Sequence, residues 1–521
     1  MLVVCVAFRG QRPTQPLSVY QKLYFGATDS VASYYRQVSY GKFNLRGAVI
    51  GNPLHPAQFL QLPHGEAYYA GKNNGSSSPF PRNDDGLVAD VVHSLQRDHF
   101  NFAPYAERGQ LPYLSIVFTG YGADVNPQDS SLIWPVENTL ARSISVPLRA
   151  TAGQRHTALP AQLGLGVSGA AARAQPPAKA APGEVVVSNY ALVPELADQS
   201  GSPSTLGVYV HEMGHLLGLD DMYDTSPAAN AGQGDGPWTV MGTGNWNGYP
   251  QGADPAELDP FSRTFLGWIH PVVIAQSVTG LSLPPIETQP VVYELRPANY
   301  AGEYFLVDNV QPISFDKALP GRGVMIWRID ARQAVPTSYD WVNDVLNTPS
   351  QNHSHHYDIS IVQASGRKDL QQPAASVTAY ADTYPNAVNN SWTAVTHPSN
   401  TLWNGAPLGM NITHISVAKS GVATLDVQDT QSGASLTIPP PAEGLRVYQG
   451  QRTPLGAIYQ VRGRTAVNVA ASADWRPLTP GVAIARGVAT FSRPGPAVVS
   501  AYAHGLSAQL RVTVVERAGT R

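Results

Sequence analysis

The chain has 521 residues, with 34 basic and 37 acidic side chains for a formal net charge of −3, and 43% hydrophobic residues. That apolar content excludes a disordered chain, and the single cysteine, Cys5, excludes a disulfide framework or any multi-cysteine zinc or iron–sulfur site. Charged residues are only 14% of the chain against about 25% in an average soluble protein, and the near-neutral balance argues against bulk binding to nucleic acid.

Met1–Phe8 is apolar but has no basic residues before it and no small-residue cleavage site after it, so it is expected to be a buried first strand rather than a secretory leader. Asp29-Ser30 can cap a helix through about Tyr40, with Val31, Tyr34, Tyr35 and Val38 on one face and Gly41 as the stop. Lys42–Ile50 alternates as a strand does. Asn83-Asp84-Asp85 can cap a second helix carrying Leu87, Val88, Val91, Val92 and Leu95 at helical spacing. Leu114–Thr119 and Val185–Val187 read as short buried strands. Residues 163–183 are low in complexity and read as a loop. The GxGxxG formed there by Gly164, Gly166 and Gly169 is rejected as a nucleotide site, because no apolar strand precedes it and Pro176-Pro177 follows. Ser202 and Pro203 suit the N-cap and first position of a further helix.

That helix carries His211-Glu212-Met213-Gly214-His215, followed by Gly218, Asp220 and Asp221. Residues four apart share a helix face, so both imidazoles can reach one Zn²⁺ at about 2.0–2.1 Å. Glu212 then lies beside the metal as a candidate general base. Gly218 can adopt the left-handed conformation that ends the helix and return a third ligand to the histidines. Asp221 has the favoured offset for that ligand, and Asp220 and Asp224 compete with it. Given 14 histidines, an HExxH arises by chance in about one such chain in a hundred. Trp238–Trp246 places Met241 before a Gly-rich run, suited to a turn beneath a metal.

From about residue 278 short β-rich runs recur between turn residues, which predicts a β-sandwich. Residues 434–521 repeat that character and carry ten arginines, no lysine and three acids, a net +7 against −10 for the rest. The expected domains are 1–275, 276–432 and 433–521. No run approaches the roughly 20 apolar residues of a membrane helix.

These segments resemble the immune inhibitor A family of secreted bacterial zinc metallopeptidases. The resemblance is carried by Ser30–Phe43, by His211–Thr225, by Trp238–Trp246, by Asp259–Trp268, and by Glu303–Asn309 with Leu319–Trp327, spanning roughly residues 1–430. Residues 433–521 look like a bacterial Ig-like domain. The resemblance implies an α+β chain: a metzincin-like catalytic domain, a β-sandwich and a small Ig-like sandwich. It implies His211, His215 and Asp221 as zinc ligands and Glu212 as general base. The implied activity is endopeptidase cleavage of protein substrates, by Glu-assisted attack of water at zinc, outside the cell. Calcium stays open as a second cation but is unsupported at the expected loop, since Tyr105–Tyr113 lacks an Asp ladder; the acids near Asp382 are the alternative site for it, and a solvated loop is favoured there. The His353–His356 run reads as an exposed loop. The strand around Val185–Asn189 is a candidate for pairing with substrate, and the basic C-terminal unit is a candidate for docking on anionic cell-surface polymer. The competing reading is an adhesin-like, surface-binding protein with a non-peptidase or inactive zinc site.

Overall fold

The computed structural model describes residues 1–76, 78–147, 180–224, 232–274, 276–297, 302–330, 357–371, 381–430, 434–442, 444–461, 466–503 and 506–516. The Gly164 motif, most of the 163–183 segment and the His353–His356 run lie outside the described residues. Helices and several sheets make the chain α+β, and it divides into two compact units. The first comprises Met1–Trp268 with Pro312–Pro320, and the second most of the remainder from Ile269 on.

The first unit runs β1 (Leu2–Ala7), α1 (Leu17–Phe25), α2 (Val31–Val38), β2 (Ala48–Ile50), β3 (Leu60–Gln61), α3 (Glu66–Ala70), α4 (Asp84–Arg97), β4 (Gln110–Leu111), β5 (Leu114–Tyr121), β6 (Val136–Pro147), β7 (Glu184–Leu196), α5 (Leu206–Leu216) and α6 (Pro260–Phe265). The caps follow the side chains. Ser30 and Ser33 form a capping box at α2, and Asn83 accepts from the Gly86 N–H at α4. The strand expected over 42–50 is shorter. Only Ala48–Ile50 pairs with β1, because the Phe43 N–H is taken by Ser39 Oγ.

These strands form one sheet in the order β2-β1-β5-β7-β4, with β3 beside β1 and β6 beside β7. Every pairing is parallel except that of β6 with β7. One face, from Val4 and Val6 to Ile116 and Leu192, packs on Leu87, Val88, Val91 and Leu95 of α4. The other face meets α1 and α5. Tyr24 Oη lies 2.6 Å from Ser115 Oγ, and the Tyr24 ring packs edge-on against Tyr209 at 5.4 Å. β1 and β5 are apolar nearly throughout because both faces are covered.

Asp84, in the first turn of α4, is 2% exposed and both its carboxyl oxygens make no hydrogen bond. Burial, reinforced by Asp85, pushes its pKa up from 3.8 to about 7. The folded chain keeps this proton where the unfolded chain loses it, so the stability present below pH 3.8 is lost as pH rises to about 7. At roughly 1.36 kcal/mol per unit the gap is worth about 4 kcal/mol. Asp84→Asn is therefore expected to be more stable than wild type at pH 8, with the difference shrinking towards pH 4. Denaturant unfolding at both pH values measures it, and a pH-independent difference would contradict the assignment.

In the second unit, β8 (Val272–Val273), β9 (Val278–Leu283), β10 (Tyr293–Leu295), β11 (Glu303–Val310), β12 (Gly323–Asp330), β13 (Ile359–Ile361), β14 (Met410–Val417) and β15 (Ala423–Asp429) form two sheets, β13-β12-β11-β10-β8 and β14-β15-β9. Phe305, Val307 and Ile326 from the first share a core with Leu283, Ile412 and Leu425 from the second. That is a β-sandwich. Asp382 is fully buried and accepts from Gln363 Nε2 at 2.8 Å, which corrects the solvated loop expected there. Ten short strands between Ala434 and Val515 form three more sheets around Val447, Phe491, Val499 and Val512. Arg296 bonds Glu294 and Asp474 and stacks on Tyr304 and Tyr502, tying this C-terminal module to the sandwich.

Candidate metal centre

α5 begins at Leu206, three residues after the predicted position. Ser202 and Pro203 are held instead in an extended turn. Ala197 N–H donates to Ser202 O, Ser204 N–H donates to Glu195 O, and Pro203 bridges Leu196. The helix that follows is apolar and buried from Leu206 to Gly214. Tyr209 Oη bonds Pro194 O at 2.9 Å and Tyr35 Oη bonds Val210 O at 2.6 Å, fixing it against the sheet and α2. Gly214 makes room on its inner face. A Cβ there would lie 2.5 Å from the sulfur of Met241, which is fully buried.

Gly218 takes φ +93°, and the Leu219 N–H bonds Gly214 O at 3.1 Å. This left-handed residue ends the helix and turns the chain back. Met222 N–H then bonds Met241 O at 2.8 Å, which holds Asp221 beside the histidines. His211 Nε2 and His215 Nε2 lie 3.1 Å apart, and Asp221 Oδ1 lies 3.2 and 3.3 Å from them. Among the described residues this is the one group of three or more His, Cys, Asp or Glu side chains placed to share a metal ion. Neither Asp220 nor Asp224 joins it.

Both ring orientations are set by the backbone. His211 Nδ1 lies 2.8 Å from Val240 O, and His215 Nδ1 lies 2.8 Å from Leu219 O. A carbonyl accepts only, so each Nδ1 carries the proton and each Nε2 turns a lone pair to the other. Two lone pairs at that distance repel unless a cation or a proton lies between them. Burial pulls His215 down, but Asp221 beside it more than offsets this and holds it up at about 10. Burial would raise Asp221, and the two histidines hold it well below the usual carboxylate range.

Glu212 is 5% exposed, and its Oε2 makes no hydrogen bond. Burial pushes its pKa up to about 7, against the pull of His211 and His215 and with a push from Asp221 and Glu137. Sequence reasoning missed the Val240 and Leu219 carbonyls, the Tyr223 ring stacked on His211 at 6.5 Å, and the charge of Glu137. Glu137 lies on β6, and only the sheet register brings it near. Val185–Asn189 is also corrected as a substrate-pairing strand. Val186 and Val187 pair with Gln110 and Leu111 on one side and with Ser145 and Ile144 on the other. Among the described residues the outermost strand on that side is β6.

A helix-borne histidine pair, a buried glutamate and a returning aspartate form a candidate metal centre of the kind that metallopeptidases use. The comparisons point the same way. Residues 163–268 match the model of the immune inhibitor A peptidase M6 catalytic domain. The chain is 34% identical to immune inhibitor A of Bacillus thuringiensis subsp. alesti over 83 residues, 16% of this chain and 11% of that protein. It is 30% identical to the pre-pro-metalloprotease PrtV of Vibrio cholerae serotype O1 over 124 residues, 23% of this chain and 12% of that protein. The resemblance to the immune inhibitor A peptidase family thus holds over the catalytic segment, and the chain spans about an eighth of the length of these curated relatives. No helix among the described residues is long and apolar enough to cross a membrane.

Proposed function

We propose that the chain is a secreted zinc endopeptidase with a metzincin-like catalytic domain over residues 1–275, followed by β-rich domains over 276–432 and 433–521. The observation that carries this reading is the triangle of His211 Nε2, His215 Nε2 and Asp221 Oδ1, with edges of 3.1, 3.2 and 3.3 Å. A tetrahedron with Zn–ligand distances of about 2.0–2.1 Å has edges of about 3.3–3.4 Å. The donor set of two imidazoles and one carboxylate suits zinc, and both Nδ1–H groups are already committed to carbonyls.

Zinc held there would supply a Lewis acid that polarises the scissile carbonyl and makes water acidic near neutral pH. Glu212 supplies the proton chemistry. Its buried carboxylate takes the proton of the attacking water and returns it to the leaving amine. Among the described residues β6 is the outer strand on that side, and its backbone is the candidate to pair with an extended substrate. Met241 beneath Gly214 supports the metzincin-like reading.

The test is metal analysis of the full chain paired with casein digestion. One zinc per chain is expected, with cleavage lost on chelation and restored by zinc. Cleavage that survives complete removal of metal, or a zinc-loaded protein that leaves casein intact, would overturn the proposal.

A further inference from the structure

One sheet of the C-terminal module runs through the strands Arg446–Tyr448, Leu506–Val515, Gly495–Ala503 and Asp474–Pro477, in that order. Val447, Val499, Val512 and Val514 turn inward to the module core, so the residues that alternate with them turn outward. At one end that outer face is covered. Ser500 and Tyr502 are buried, and the Arg296 guanidinium lies over the Tyr502 ring at 4.3 Å. At the other end the face is open. Arg446 and Tyr448 on the outer strand, and Gln509, Arg511 and Thr513 on the next, are exposed.

Arg446 pairs in register with Thr513, two residues from Arg511. The two arginines therefore sit on one face of adjacent strands, as diagonal neighbours. Neither guanidinium is engaged by an acid or a carbonyl among the described residues, and the three strands at this end contain no acid. Guanidiniums so placed repel each other until anions come between them. Each can hold a carboxylate through two parallel N–H···O bonds, a geometry that lysine lacks, and residues 434–521 carry ten arginines and no lysine. Tyr448, two residues along from Arg446 on the same face, adds an exposed aromatic plane with a hydroxyl at its edge.

That combination fits a chain of sugar rings bearing carboxylates. The face is flat, and the described residues of the module include no helix to enter a nucleic-acid groove. An anionic membrane would meet the whole chain, whose net charge is −3, whereas a polymer strand can lie on this face alone. We propose that the open face binds an acidic polysaccharide, with Arg446 and Arg511 taking carboxylates and Tyr448 packing on a sugar ring beside them. The proposal stands independently of the peptidase reading.

The experiment titrates the full chain with polygalacturonate, and with dextran, polyphosphate, duplex DNA and phosphatidylglycerol vesicles for comparison. Polygalacturonate is expected to bind most tightly, and less so as salt is raised. Arg446→Gln with Arg511→Gln should weaken that binding roughly tenfold or more, as two charge-assisted contacts are lost. Arg452→Gln is the control. Arg452 is exposed beside the buried Thr453 and pairs with Thr490 in the sheet that holds Phe491, so it lies on the opposite outer face, and its loss should leave binding unchanged. Arg446→Lys with Arg511→Lys keeps the charge without the fork and should bind between wild type and the Gln pair. Tyr448→Ala should weaken binding without altering its salt dependence. Thermal unfolding of each variant separates lost binding from lost fold. No binding of polygalacturonate at low salt, equal or tighter binding of polyphosphate, DNA or vesicles, a folded Gln pair that binds as wild type does, or an equal loss in Arg452→Gln overturns the proposal.

Discussion

Glu212→Ala is expected to lower cleavage of casein, or of a blocked peptide, by roughly 10²–10⁴-fold, the range a positioned general base supplies. The variant should keep its fold and its zinc. The atoms that converge belong to His211, His215 and Asp221, and the two histidines are oriented by the main-chain carbonyls of Val240 and Leu219. Removing Glu212 also deletes a carboxylate that burial holds in an unfavourable state, with a pKa pushed up to about 7. The folded protein should therefore be no less stable at neutral pH, which separates a chemical role from a structural one. A pKa displaced towards the working pH is what an acid–base group needs if it is to take a proton and give it back within one turnover. Glu212→Gln keeps the shape and removes the charge, so it should fall with the alanine variant. Steady-state rates, zinc content and near-ultraviolet circular dichroism of wild type and both variants make the comparison. Activity within tenfold of wild type in either variant would remove Glu212 from the proton path.

The candidate centre was legible because its parts are local in sequence. His211 and His215 are one helical turn apart, Gly218 ends the helix at φ +93°, and Asp221 returns within a few residues. Spacing alone left Asp220 and Asp224 as competitors. What separates them is the hydrogen bond of Met222 N–H to Met241 O, a contact across 19 residues that no local pattern encodes. The start of α5 was misread for the same reason. Ser202-Pro203 has the chemistry of a cap, but Glu195, Leu196 and Ala197 capture that stretch through backbone bonds first. Val185–Asn189 was legible as a strand and illegible as a central one, because neighbours on a sheet are a matter of register. Glu137 had no signal at all. It stands 75 residues before Glu212, on a strand whose alternation says which residues share a face but not what that face meets. The burial of Asp84 was hidden behind its suitability for the first turn of a helix.

Arg263→Met is expected to destabilise the first unit by about 3–5 kcal/mol, the cost of leaving a buried charge without its partner. Arg263 is fully buried on α6. Its Nε donates to Leu258 O, Nη1 donates to Tyr40 Oη at 2.9 Å, and Nη2 donates to Glu257 Oε2 at 2.8 Å. Burial pushes the Glu257 carboxyl up while Arg263 beside it pulls it down. Without Arg263 the carboxyl must take a proton or remain charged in a buried site. The consequence reaches the candidate centre through the backbone. Glu257 O accepts from the Val240 N–H at 3.4 Å, and Val240 O is the group that orients His211 at 2.8 Å. The Glu257 N–H is itself held by Asp316 at 2.8 Å, so the segment is clamped from both sides. Losing Arg263 should therefore weaken zinc retention as well as stability. The double variant Arg263→Met with Glu257→Gln, which removes both charges, should recover much of the stability, as replacement of a whole buried ion pair often does. Urea unfolding with zinc titration of the single and double variants reads both effects. Equal destabilisation by the two would mean that the packing of the arginine stem, and not the pairing of charge, is what this site contributes.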